Sequence, residues 1–172
     1  MSYFGYFLIL AAAALRLVPH PANFAPIAAM ALFGGTYLNK KLAFILPVVA
    51  MVASDYFIGF DSWQSRAVIY SCFLLSGLIG LYIRNHKTAT TVLGGTFASS
   101  VLFYLITNLV FLYPEAMYEQ NLQGQMQSYI NALPFFRNTL AGDLFYVGIL
   151  FGSFEMVRYY KKNQVLARNK NL

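Results

Sequence analysis

The chain has 172 residues, of which 59% are hydrophobic, 17% aromatic and only 10% charged. Soluble domains carry about 25% charged residues, so this composition excludes an ordinary soluble domain and indicates a membrane protein. The formal net charge of +6 does not indicate nucleic-acid binding, because the basic residues stand in short clusters beside apolar segments, as topology signals do.

Six apolar segments predict an all-α polytopic membrane bundle of six transmembrane helices, at 3–18, 24–38, 42–60, 67–83, 89–113 and 139–160. A span needs about 20 residues, so the shorter second segment predicts a short or partly re-entrant helix. We expect one domain over 1–162 and a basic tail over 163–172. Small residues such as Gly148 with Gly152, and Gly77 with Gly80, predict close helix packing.

The stretch 16–35, RLVPHPANFAPIAAMALFGG, places Arg16, His20 and Asn23 between two apolar segments and adds three prolines that interrupt the helix. An arginine costs about 2.5–3.5 kcal/mol at a bilayer centre, and such residues usually serve a site or a partner. Irregular backbone at membrane depth is tolerated where it is buried in protein or lines a wet cavity. We therefore expect this stretch to form one wall of a polar pocket.

The basic residues predict the orientation. With both termini in the cytoplasm, three of them fall on the outer half, namely Arg16, Arg66 and Arg137. The other nine then lie inside, namely Lys40, Lys41, Arg84, Lys87, Arg158, Lys161, Lys162, Arg168 and Lys170. The positive-inside rule favours this arrangement, with cytoplasmic N- and C-termini.

In that topology, four of the six spans bring polar side chains to one outward-facing level. The candidate ligand-binding residues there are Arg16, His20, Asn23, Phe24, Asp55, Asn108, Arg137, Asn138 and Asp143. Charges inside membranes also pair with one another, so Arg16–Asp55 and Arg137–Asp143 are alternatively structural ion pairs. We also expect Asp61 and Arg66, which flank Trp63, to be solvated at the interface rather than part of a site.

The loop 114–137 has the pattern of a short amphipathic helix over the mouth of the bundle, either a lid that contacts a ligand or an interfacial helix. The single cysteine, Cys72, excludes an intramolecular disulfide and a multi-cysteine metal site. It is best interpreted as a small buried hydrophobe, and alternatively as an axial ligand to the cobalt of a corrinoid. We predict no cofactor and no resident metal.

The blocks RLVPHPANFAPIAAMALFGG, SDYFIG, FYLITN and ALPFFRNTLAGDL resemble an uncharacterised family of small bacterial integral membrane proteins. Its layout is similar to that of the substrate-binding (S) components of energy-coupling factor vitamin transporters. That resemblance implies a six-helix protein of the bacterial cytoplasmic membrane that binds a micronutrient at its outer face. It also implies partners at the cytoplasmic face, a transmembrane coupling subunit and ATPases.

Our leading functional hypothesis is a non-enzymatic, solute-binding membrane subunit for the uptake of a vitamin or similar micronutrient. In it, Arg16 and His20 engage an anionic group, while aromatic rings such as Phe24, Tyr118 and Phe136 stack on a heterocycle. The alternatives are a structural or assembly subunit of a membrane complex and, with less support, an intramembrane enzyme. The chain contains no phosphate loop, HExxH motif or nucleophile elbow.

Overall fold

The computed structural model describes residues 2–59 and 62–170, and the regular structure in these two ranges is entirely helical. The α-helices are α1 (Ser2–Leu15), α2 (Ile27–Tyr37), α3 (Lys40–Ile58), α4 (Trp63–Asn85), α5 (Ala89–Thr107) and α6 (Leu122–Lys170). A short 3-10 helix, Val110–Leu112, lies between α5 and α6. The predicted all-α bundle of six helices is confirmed.

Four helices are long and apolar enough to cross a membrane, over Lys41–Ile58, Trp63–Asn85, Ala89–Thr107 and Leu122–Ala167. Helix α1 has 14 residues and α2 has 11, so both are shorter. At 1.5 Å per residue α2 extends only about 17 Å, against about 30 Å for the hydrocarbon core of a bilayer. The architecture is that of a membrane protein in which α2 is a short internal helix.

Side-chain caps set where three helices begin. The Asn39 Oδ1 atom accepts from the backbone N–H groups of Lys41 and Leu42, each at 3.0 Å, and starts α3. Ser62 starts α4 in the same way, and Thr88 starts α5 with a reciprocal capping box. These caps satisfy N–H groups that a helix start leaves without partners, so α3 and α4 begin earlier than their apolar segments indicated.

The structure corrects two predicted boundaries near the loop 114–137. Helix α5 ends at Thr107 rather than at residue 113, because the chain leaves helical geometry at Asn108 and turns through the 3-10 helix before Pro114. The predicted separate amphipathic helix is instead the first part of α6, a continuous helix of 49 residues. It begins where Asn121 Oδ1 accepts from the N–H of Gly124 at 2.9 Å, and it continues through Pro134 and the basic tail.

Helix α2 lies at the centre of the bundle, where residues 28–36 are all buried. It packs along α4 and also contacts α1, α3, α5 and α6. The α2–α4 crossing depends on glycines, since a Cβ added to Gly35 would lie 2.8 Å from the Cα of Gly80. Without side chains at this crossing the two backbones touch directly, which is how helices pack tightly in lipid.

Two groups of charged and polar side chains mark two ends of the bundle. We call the end that holds Arg16, Asp55 and Arg66 the Asp55 end, and the end that holds Tyr37, Lys87 and Glu155 the Lys87 end. Each group is held together by its own hydrogen bonds and ion pairs.

Candidate functional site

Asp55 is fully buried at the end of α3 and binds three neighbouring side chains. Its Oδ1 atom accepts from Arg16 Nη2 at 2.9 Å, and its Oδ2 atom lies 2.9 Å from Arg66 Nη1. The Tyr70 hydroxyl donates to Oδ2 at 2.7 Å. One carboxylate therefore joins α1, the start of α4 and its own helix.

The two arginines of this cluster are also anchored to the end of α3. Arg16 Nη1 donates to Ser54 Oγ and, at 3.4 Å, to the carbonyl of Met51. Arg66 Nη2 donates to the carbonyl of Gly59 at 2.8 Å. Gly59 has φ +110°, a conformation that favours glycine, and it ends α3 next to the cluster.

The Arg16–Asp55 ion pair, which the sequence offered as an alternative to a binding role, is present in the structure. The side chains of Arg16, Arg66 and Asp55 are 8%, 11% and 0% exposed, so the pair is buried within the protein. The expectation that Arg66 is solvated is therefore wrong, because a buried carboxylate one helix away binds its guanidinium. Asp61 lies outside the described residues.

A cavity of about 780 Å³ lies at the same end, between α4, α5, the 3-10 helix and α6. Seven aromatic side chains line it, namely Phe103, Tyr104, Phe111, Tyr113, Tyr118, Phe135 and Phe136. Hydroxyl and amide groups add polar character, namely Asn23, Ser62, Gln64, Ser65, Thr107, Asn108, Ser128, Asn131 and Thr139. Among the described lining residues none carries a formal charge, and the volume falls in the range of about 300–1,000 Å³ typical of small-molecule sites.

Hydrogen bonds between α5 and α6 hold the walls of this cavity in place. The Asn108 carbonyl accepts from Gln125 Nε2 at 2.8 Å and from Ser128 Oγ at 3.0 Å. Tyr104 donates to the carbonyl of Tyr129 at 2.7 Å, and its ring centroid lies 4.8 Å from that of Phe136. Because the last carbonyls of a helix need outside partners, these side chains both satisfy α5 and fix the cavity shape.

The loop before α6 closes one side of the cavity. Pro114, Met117 and Tyr118 line it, and the Tyr118 ring packs edge-on against Tyr113 with centroids 5.4 Å apart. Asn131 Nδ2, from α6, lies 3.4 Å from the Tyr118 hydroxyl. This loop and the first turns of α6 lie where the sequence predicted either a lid or an interfacial helix.

The structure brings two of the nine candidate ligand-binding residues to the cavity, Asn23 and Asn108. Asn23 has φ +63°, the left-handed conformation that asparagine tolerates better than most residues. Phe24 instead packs against Phe145 and Tyr146, with ring centroids 5.7 Å away in both cases. Asn138 Nδ2 donates to the carbonyl of Ala22 at 3.1 Å.

The other candidates lie elsewhere. His20 and Arg137 are exposed, and the buried Asp143 accepts from Ser100 Oγ at 2.6 Å. The predicted Arg137–Asp143 pair is not among the ion pairs of the described residues, since positions six apart on one helix do not share a face. Cys72 is 2% exposed and does not line the cavity, as expected for a small core residue.

Sequence reasoning missed most of the lining, because it followed the charged residues. A signal was nevertheless present in α6, where Ser128, Ala132, Phe135 and Thr139 recur at helical spacing and all line the cavity. In α5, Tyr104, Thr107 and Asn108 also share one face. Within the described ranges, no cluster of three or more His, Cys, Asp or Glu side chains suits a metal ion.

Comparison with known proteins identifies the family of the chain but no function for it. A family model described as a family of unknown function (DUF6580) matches residues 2–166, nearly the whole chain. No curated protein and no solved structure matches the sequence. The resemblance to an uncharacterised family is therefore confirmed at the family level, and the chain belongs to DUF6580.

Proposed function

We propose that this protein is a membrane-embedded solute-binding subunit that takes a vitamin or similar micronutrient into the cavity at the Asp55 end. The observation that carries the proposal is the cavity itself, with seven aromatic rings and nine uncharged polar side chains around about 780 Å³. A purely structural subunit has no need of a cavity of this size and chemistry with hydrogen-bonded walls.

The lining favours a solute that is uncharged where it contacts the wall. Aromatic rings provide stacking surfaces, and hydroxyl and amide groups fix polar ring edges. Arg16, the residue expected to engage an anionic group, is bound to Asp55 and Ser54 instead. We therefore favour a heterocyclic or other aromatic solute over a carboxylate or phosphate.

The proposal includes a direction of uptake and partners. The excess of basic residues at the Lys87 end favours placing that end and both termini in the cytoplasm of a bacterial cell, with the cavity facing outward. Because the chain has no phosphate loop of its own, energy for uptake would come from a transmembrane coupling subunit and ATPases at the Lys87 end.

The direct test is purification in mild detergent, followed by native mass spectrometry and an absorbance spectrum of anything retained. We expect one small molecule per chain, absorbing in the ultraviolet as a heterocycle does. Repeated empty preparations from cells grown in rich medium would contradict the proposal and favour an assembly subunit.

Two matched substitutions on α6 locate the binding. Ala132→Leu adds a side chain inside the cavity, because Ala132 lines it, whereas Ala141→Leu makes the same change on an exposed face of the same helix. We expect the first to lose the retained molecule and the second to keep it, with both proteins folded. Equal retention by the two variants would place the bound molecule elsewhere.

A further inference from the structure

The Lys87 end holds a second cavity, of about 430 Å³, whose lining has the opposite character. It is lined by Thr36, Tyr37, Arg84, Lys87, Phe154 and Arg158, so half of these side chains are cationic. One acidic residue, Glu155, lies beside them and pairs with Lys87 and Arg158. Three cations against one carboxylate leave this corner of the protein strongly positive.

Hydrogen-bond donors outnumber acceptors around this cavity. A single carboxylate oxygen, Glu155 Oε1, accepts from Tyr37 at 2.7 Å, from Arg158 Nη1 at 3.4 Å, and from Lys87. A lysine carries three donors and an arginine five, so this one atom leaves most of them unused. The surplus is what an anion with several oxygen atoms would satisfy.

Arg84, the third cation of this cavity, binds backbone carbonyls instead of the carboxylate. Its Nε atom donates to the carbonyl of Thr36 at 3.2 Å, and its Nη2 atom donates to the carbonyl of Leu38. These bonds satisfy the C-terminus of α2 and fix the guanidinium at the cavity wall. Within the described part of the chain, Lys87 and Arg158 are the cavity cations that hydrogen-bond only to the shared Glu155 carboxylate.

The position of the cavity along α6 matches the level of lipid headgroups. Arg158 is followed directly by Tyr159, Tyr160, Lys161 and Lys162, all exposed. Tyrosines and basic residues are enriched where a transmembrane helix leaves the hydrocarbon region. A lipid phosphate at this depth would lie beside the cavity mouth.

We propose that this cavity binds the phosphate group of an anionic phospholipid, with Lys87 and Arg158 as its ligands. Arginine and phosphate form paired, charge-assisted hydrogen bonds, and basic pockets between transmembrane helices suit such headgroups. Glu155 holds the two cations in position when the lipid is absent and competes with the phosphate when it is present.

The test is native mass spectrometry of the full-length protein in a neutral detergent, with phosphatidylglycerol or phosphatidylcholine added. We expect preferential retention of phosphatidylglycerol and about a tenfold loss in Lys87→Gln and in Arg158→Gln, as for one charge-assisted hydrogen bond each. Lys161→Gln, an exposed basic neighbour, is the matched control and should retain the lipid. Equal losses in all three variants would mean unspecific attraction and overturn the proposal.

Further measurements distinguish loss of binding from misfolding, and a lipid headgroup from free phosphate as the ligand. Glu155→Gln should strengthen lipid retention because it removes the competing charge, and a misfolded protein would not gain affinity. An unchanged or weaker retention would contradict the proposed site. Inorganic phosphate should not displace the lipid, and Lys87-dependent binding of phosphate without a lipid preference would overturn the lipid as ligand. Ala132→Leu, in the other cavity, should leave lipid retention unchanged.

Discussion

At the scale of single residues, the buried carboxylate of Asp55 holds two arginine side chains at its end of the bundle. Two guanidinium groups and a phenol bind its two oxygen atoms, all within 2.9 Å. Charges taken out of water are tolerated when they are paired and hydrogen-bonded, and are very costly when one partner is removed. The carboxylate is therefore a structural requirement of α1, α3 and α4.

We predict that Asp55→Asn destabilises the folded protein by about 3–5 kcal/mol, since it removes the carboxylate charge that binds the buried Arg16 guanidinium. Thermal or denaturant unfolding of the purified protein in detergent measures the change. Glu115→Gln removes an exposed carboxylate and serves as the control, with little expected effect. Unfolding of Asp55→Asn at the wild-type midpoint would show that the ion pairs contribute nothing to stability.

At the scale of helices, α2 and α4 cross with their backbones in direct contact. A Cβ on Gly80 would lie 3.0 Å from the Cα of Gly35, where only backbone is present and nothing flexible can move aside. Added atoms in a filled interior force such contacts apart. The distance between α2 and α4 is thus set by the absence of side chains at two positions.

We predict that Gly80→Ala costs about 1–3 kcal/mol of stability, the usual cost of overpacking. Gly148→Ala is the matched control on α6, where the added Cβ meets nothing within 4 Å. There, alanine should stabilise the helix by roughly 0.5–1 kcal/mol, because glycine is the more flexible residue in the unfolded chain. Equal effects of the two substitutions would mean that the crossing tolerates wider spacing.

These two glycine positions also illustrate what the sequence could and could not predict. Gly77 with Gly80 and Gly148 with Gly152 have similar patterns, yet the first pair contacts a neighbouring helix and the second is open. Spacing identifies helix faces that permit close approach, and only the three-dimensional arrangement shows which face has a partner. The number of helices was predictable because the sequence divides into six apolar segments separated by polar or proline-rich stretches.

The same reasoning explains the candidate site. The charged residues were conspicuous because each is costly in lipid, but such residues also neutralise one another, as Arg16 and Asp55 do. The cavity is built from residues such as Tyr104 and Ser128, which are common in membrane helices and stand out only when two helices are seen together. Asn23 and Asn108, predicted as polar site residues, and Tyr118 and Phe136, predicted as stacking rings, all line the cavity.

At the scale of the whole molecule, α6 determines the placement of both ends. It begins beside the large cavity, passes the aromatic cluster of Phe33, Tyr37 and Phe154, and continues beyond the bundle. At 1.5 Å per residue its 49 residues extend about 74 Å, more than twice the hydrocarbon thickness of a bilayer. We therefore expect the large cavity and the basic tail to lie on opposite sides of the membrane.

We predict that topology reporters inserted within 122–127 and fused after Lys162 report opposite compartments. The reporter after Lys162 should lie in the cytoplasm, as the distribution of basic residues favours. A phosphatase active outside the cell and a fluorescent protein active inside it give complementary readouts. Signals from the same side for both positions would contradict a membrane-crossing α6.

The central position of α2 has a consequence for how the chain is made. In the folded protein the backbone of Leu32 packs against Gly80. Leu32 is synthesised 48 residues before Gly80. At about 5–20 residues per second this is a wait of roughly 2–10 s, during which a helix too short to cross the bilayer has α1 and α3 as its nascent neighbours. We therefore expect the contact between α2 and α4 to form only after α4 has been synthesised, and a pause in synthesis between these helices to delay it.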